Sequence, residues 1–278
     1  MAAGTFPINL RDIRFVLFEQ LGIERLCHFD PFKDFSREIF EMVLEEAAKL
    51  AREVLAPLNA ISDREGCAFD GGRVRVPRGF HEAYRRYCAG GWIAATVEAD
   101  AGGQGLPETV GMAAAEMFAG ACCSFTTYPG LTRGAANLIR SFGTEEQKRL
   151  YLEKMLSGRW TGTMCLTEPQ AGSSLGDVKT TAKREGNSYI LTGTKIFITG
   201  GDQDLTENII HTVLARTEGA PPGSRGLSLF IVPKIRVRPD GSLGEANDVV
   251  CSGLEHKMGI KGSSTAILVF GGEGGCRG

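Results

Sequence analysis

Apolar residues recur at helical intervals along the first half of the chain and gather into short β-branched runs along the second. Between residues 36 and 58, Ile39, Val43, Ala47, Leu50, Val54 and Leu58 fall at three- and four-residue steps with Glu, Lys and Arg between them. That spacing predicts a helix burying one stripe. A second helical run is expected from about Arg78 to Ala89, and others near 107–119 and 131–141. At Thr144 the text TEEQ predicts a capping box, in which the hydroxyl accepts from the Gln147 amide and the Gln147 side chain reaches back. The helix it opens continues through KRLYLEKML and stops at Gly158.

After Gly158 the texture changes. The runs YILTGT, KIFIT, IIHTVLA, GLSLFIV and AILVF alternate with glycine-rich turns, which predicts strands. With no helical run between them, an antiparallel sandwich or barrel is expected rather than repeated βαβ units. The expected fold is α+β: an N-terminal extension over 1–35, an all-α helical domain over 36–158, a β-domain over 159–270 and an irregular glycine-rich end over 271–278. That end, GGEGGCRG, loses periodicity directly after a strong strand. It reads at least as readily as a truncated or frame-shifted end as a natural tail.

Composition narrows the function classes. With 42% hydrophobic and 23% charged residues in 278, the chain can bury a core. A formal net charge of −2 and no long basic run argue against a nucleic-acid partner. Eight cysteines occur without CxxC pairs or metal-ligand spacing to histidine, so reduced thiols and no metal site are expected. The N-terminus lacks an apolar signal core, and no run reaches the ~20 apolar residues a membrane span needs. A cytoplasmic location is the default expectation.

The segment Cys165–Asp177, CLTEPQAGSSLGD, is the most informative stretch. It joins a strand end, a threonine, a helix-blocking proline and a Gly-Ser-Ser loop able to offer amides and hydroxyls to an anion. By itself such text is more often only a polar turn. It resembles, however, the signature of the acyl-CoA dehydrogenase family, matched by Leu166, Thr167, Glu168, Ala171, Gly172 and Ser173, with Ser174 where the family usually has Asp. GGQGLPE at 102–108, ILTGTKIFITGG at 190–201 and GLEHKMGIKGSST at 253–265 fit the same family in order. The text around EVLAPLN, YPGLTRGA and ENIIHTVLAR is similar to the 3-methylmercaptopropionyl-CoA dehydrogenase-like branch.

The resemblance implies the family's N-terminal helical and middle β-domains, FAD as cofactor, and dehydrogenation of an acyl-CoA thioester to a 2-enoyl-CoA. It implies that Met164 and Leu166 meet the flavin ring through backbone groups and Thr167 through its hydroxyl. Gly172 and Ser173 would lie by the diphosphate, and Phe197 and Thr199 would pack on and bond to the flavin near N5. Without the family, Phe197 reads as a core aromatic. Tyr128 would border the acyl pocket, where a kinked helix entry at Pro129 is the plainer reading, and Lys257 would attract a CoA phosphate, where a solvated lysine is the plainer one. Gly102, Gly103 and Gly105 read as a structural turn, since no strand-then-helix context surrounds them. His211 and His256 have no partner spacing, and Glu168 reads as a loop residue. No catalytic base is assigned, because the family keeps it in a further helical domain; the 278-residue chain is therefore expected to hold flavin weakly or not at all, and not to dehydrogenate acyl-CoA. An electron-transfer flavoprotein and a homo-oligomeric longer form are further implied partners. From a different class, a non-catalytic acyl-CoA- or partner-binding module stays open.

Overall fold

The computed structural model describes residues 6–278, so the first five residues of the expected extension lie outside the described residues. The rest of that extension is no separate unit. It carries the short helix α1 (Leu10–Arg14) and further single turns, and buries Leu17, Phe18 and Ile23 in the helical core.

Ser36 caps α2 (Arg37–Leu50) by accepting from the Ile39 amide at 3.4 Å. A wider turn over Ala51–Leu55 leads into α3 (Ala56–Glu65). The buried stripe is centred on Phe40, Leu44, Ala47, Ala51 and Leu55, with Ile39, Val43 and Leu58 at its edge. Helix α4 (Phe80–Ala89) packs Phe80 edge-on to Phe125 at 5.5 Å and Tyr87 to Phe118 at 5.3 Å. The two runs expected near 107–119 and 131–141 are one element, α5 (Glu108–Phe142), broken at Cys122 rather than at Pro129. Val110, Ala114, Met117, Ala121 and Phe125 keep one face buried across that break, which holds the two segments together. The capping box forms as expected and opens α6 (Glu145–Leu156).

Between the helices sits an unexpected hairpin, β1 (Ala68–Asp70) with β2 (Arg73–Arg75), whose Val74 is buried in the β-domain's core. The main sheet contains β3 (Trp160–Cys165), β4 (Thr181–Glu185), β5 (Ser188–Thr199), β6 (Asn208–Thr217), β7 (Leu227–Pro233), β10 (Val249–Leu254) and β11 (Thr265–Phe270). A small hairpin joins β8 (Ile235–Val237) and β9 (Leu243–Ala246). Most pairs are antiparallel, but β6 runs parallel to both β3 and β4, because it enters the sheet between strands that precede it. The glycine-rich end forms no strand, yet Cys276 is fully buried and Gly278 exchanges two 2.9 Å backbone bonds with Tyr189. Side-chain pattern could not reveal this, since backbone groups do the pairing.

Among the contacts that join the domains, two bear on the site. Gly162 lets β3 lie against α5 and α6: a Cβ there would stand 2.6 Å from Ala135 and 2.7 Å from the end of Met155. The loop between β10 and β11 reaches back to the helices, where the Tyr128 hydroxyl donates to Gly262 O (3.0 Å) and accepts from Ser264 N (2.9 Å).

Candidate functional site

The exit of β3 is organised around one buried carboxylate. Glu168 is 3% exposed and accepts from five donors: Lys195 Nζ at 2.8 Å, Thr180 N at 3.0 Å, Thr180 Oγ1 at 2.5 Å, Lys179 N at 2.8 Å and Gln170 Nε2 at 2.6 Å. Burial pushes its carboxyl up, but Lys195, Thr180 and the two amides outweigh that and hold it down to about 2. Glu168 is a loop anchor, and an anion so firmly held cannot take up a proton near neutral pH. Lys195, fully buried on β5, also donates to Leu166 O at 3.0 Å, while burial lowers the pKa of its ammonium against the pull of Glu168.

Directly beside this pair, β5 is bulged. Lys195 pairs with Leu268 and Ile198 with Ala266, so Ile196 and Phe197 together oppose the single residue Ile267. An unbulged strand would put Lys195, Phe197 and Thr199 on one face. The extra residue instead keeps Lys195 and Ile198 buried and turns Phe197 and Thr199 to the outside. Phe197 is 57% exposed and its φ is +59°, a left-handed conformation that a bulky L-residue adopts only where its surroundings impose it. It is therefore not the core aromatic of the plainer reading. Across from it, Ile196 N donates to Thr167 O at 2.9 Å, which brings the β3 exit and the bulge side by side. Met164, Leu166, Thr167 and Thr199 are half-buried. Together these residues form one partly open face of strand ends with an aromatic ring on it.

Gly172 and Ser173 are exposed at the tip of the following loop. Ser174, in the family's usual Asp position, donates to Asp177 Oδ2 at 2.8 Å and so closes that turn with its own hydroxyl. Tyr128 and Lys257 brace the interdomain loop, and the Tyr128 ring also packs at Gly200, directly after Thr199, where a Cβ would stand 3.4 Å from it. Tyr128 is 1% exposed with its hydroxyl engaged, and Lys257 Nζ donates to Ile260 O at 2.8 Å and Ser263 O at 2.7 Å. The GGQG text is a turn against the helical domain, where a Cβ at Gly103 would stand 2.0 Å from Val97 O. His211 is a fully buried core histidine whose Nδ1 meets Thr163 Oγ1 at 2.7 Å, with burial pushing its pKa down to about 3. No group of metal-ligating side chains occurs among the described residues. Sequence reasoning missed Lys195; the available signal was a lysine inside a β-branched run two residues before the aromatic.

Comparison with known proteins agrees with this architecture. Residues 38–159 match the model of the acyl-CoA dehydrogenase N-terminal domain and residues 163–272 that of the middle domain. The chain is 42% identical over 267 residues to 3-methylmercaptopropionyl-CoA dehydrogenase of Ruegeria pomeroyi, covering 96% of this chain and 45% of that relative. It is 41% identical to a butyryl-CoA dehydrogenase of Syntrophomonas wolfei, covering 100% of this chain and 46% of that one. Among solved structures, an acyl-CoA dehydrogenase complexed with FAD from Bacillus anthracis superposes with a TM-score of 0.66 at 28% identity, covering 86% of this chain and 36% of that one. The chain spans about half the length of the curated relatives it matches.

Proposed function

The chain belongs to the acyl-CoA dehydrogenase family, and on that premise we propose that it binds FAD on the face made by Met164–Thr167 and Phe197–Thr199 and serves the α,β-dehydrogenation of an acyl-CoA thioester. The observation that carries this reading is the bulge at Ile196–Phe197, which turns an aromatic ring and a hydroxyl outward on a strained backbone beside the β3 exit. When bound, the flavin supplies the redox chemistry by accepting a hydride from the substrate's β-carbon.

The residues present fit such a ring. Phe197 offers a flat apolar surface. The Thr167 amide and hydroxyl find no hydrogen-bond partner within the chain among the described residues, and so stand ready for a heteroatom. Thr199 would orient the ring's N5 edge from the same face. The exposed Gly172–Ser173 tip suits a diphosphate, since a loop without Cβ bulk lets amides approach phosphate oxygens. Tyr128 and Lys257 would serve the acyl-CoA pocket indirectly, by holding the loop that joins the domains. No carboxylate of the two domains is assigned as base, and Glu168 is excluded by its low pKa and five donors. An electron-transfer flavoprotein as acceptor, a homo-oligomeric assembly and a cytoplasmic location complete the proposal; no helix of the described residues is long and apolar enough to cross a membrane.

The test is an anaerobic absorbance titration of the chain with FAD, followed by addition of butyryl-CoA. A perturbed flavin spectrum on mixing supports the site, and bleaching on acyl-CoA addition would show that the thioester reduces the bound flavin. A spectrum identical to free FAD at millimolar chain would remove the proposal.

A further inference from the structure

Resting on the flavin reading, we propose that Lys195, clamped by Glu168, is a positioning residue that sets the orientation of the 166–167 peptide on the flavin-facing side. Lys195 Nζ holds the Leu166 carbonyl at 3.0 Å and Glu168 at 2.8 Å, and both side chains are buried. No peptide bond in the described residues is cis. In a planar trans peptide the N–H points opposite to the C=O, so fixing the Leu166 carbonyl inward turns the Thr167 N–H away from Lys195.

That N–H has no partner among the described residues, and a backbone donor that is not wholly solvated calls for one. The same lysine lies two residues before Phe197, so one ammonium ties the β3 exit to the start of the bulge. Glu168 is what allows a charged ammonium there: unpaired, a lysine in the sheet interior would swing out or give up its proton. The carboxylate is itself fixed by Thr180, Gln170 and the amides of residues 179 and 180, so the ammonium sits against a rigid counter-ion. A loop that only needed closing would not need a buried charge aimed at a carbonyl.

The experiment compares the unaltered chain with Lys195→Met/Glu168→Gln, which removes both charges together, by amide NMR, hydrogen exchange and FAD titration. The expected result is a folded variant in which the Thr167 amide resonance moves, exchange of the Ile196 amide speeds by tenfold or more relative to β6 amides, and the FAD Kd weakens at least tenfold. Unchanged Thr167 and Ile196 amides in the folded variant overturn the proposal. Altered amides with unchanged FAD affinity overturn it too. If the unaltered chain itself shows no response to FAD, the flavin reading fails, while the two amides still decide whether the pair orients the peptide. Should the double variant not fold, Thr180→Val loosens Glu168 without removing a charge. It must then shift the Thr167 amide in a folded chain, or the proposal falls.

Discussion

Replacing Tyr128 by Phe tests how strongly the two domains are joined. The ring would stay in place, edge-on to Phe80 with centroids 6.3 Å apart, so no cavity opens. Only the hydroxyl is lost. Its loss leaves Ser264 N without its 2.9 Å acceptor, and leaves Gly262 O with only the Cys67 thiol at 3.3 Å. A buried polar group left unpaired costs roughly 1–3 kcal/mol. One group fully stranded and one partly so gives about 2–4 kcal/mol for Tyr128→Phe. The neighbouring Tyr84 provides the control, because its hydroxyl is buried with no well-formed hydrogen bond among the described residues and only the weakly bonding Cys88 thiol near it. Tyr84→Phe removes an unsatisfied group and should be neutral or stabilising, within about 0.5 kcal/mol of no change or better. Urea titrations followed by circular dichroism would measure both. Equal effects for the two variants, or a loss below about 0.5 kcal/mol for Tyr128→Phe, would refute the view that this hydroxyl clasps the domains.

Three further outcomes are expected. Gly103→Ala drives a Cβ to within 2.0 Å of the Val97 carbonyl and should lower stability by at least about 1–3 kcal/mol on the same urea scale. On acidification, His211 is held neutral with its pKa lowered from 6.5 to about 3, and Glu168 is held ionised with its pKa lowered from 4.5 to about 2. In both cases the folded chain binds fewer protons than the unfolded one, so stability should fall first between pH 6.5 and 3 through His211, then between 4.5 and 2 through Glu168. Stability curves of His211→Gln should lose the upper part of that decline. Finally, native-state thiol labelling should modify exposed Cys123 first, while buried Cys165 and Cys276, both pushed up to about 12 by burial, react only on unfolding.

Local chemistry made much of the molecule legible in the sequence. The capping box at Thr144, the stripe through Ala47, Leu50 and Val54, and the change to β-branched runs after Gly158 each have a cause within a few residues. The candidate site was legible only as a signature: Thr167, Gly172, Ser173, Phe197 and Thr199 were chosen by resemblance, and the structure brings Thr167 beside the bulge that carries Phe197. What stayed hidden depends on partners distant in the chain. The bulge at Ile196–Phe197 exists only relative to Ile267, and the parallel course of β6 only relative to β3. Lys195 reads as a solvent-facing charge until Glu168 is seen beside it. Tyr128 was chosen as a substrate contact by family position and Lys257 for its charge, and the structure directs both polar ends to backbone groups of the interdomain loop. The tail after Phe270 is held by its backbone against Tyr189 and Leu191, which no side-chain pattern announces.

Everything proposed for this chain depends on flavin binding the face shared by the β3 exit and the bulge of β5. Amide NMR of the 278-residue chain titrated with FAD into the millimolar range tests it most directly, because weak binding still moves resonances in fast exchange. Flavin on this face should give saturable shifts concentrated at Leu166, Thr167, Ile198 and Thr199, with smaller ones at Gly172 and Ser173, and their loss in Phe197→Ala. Shifts that never saturate, or that gather on residues away from these strand ends, would contradict it.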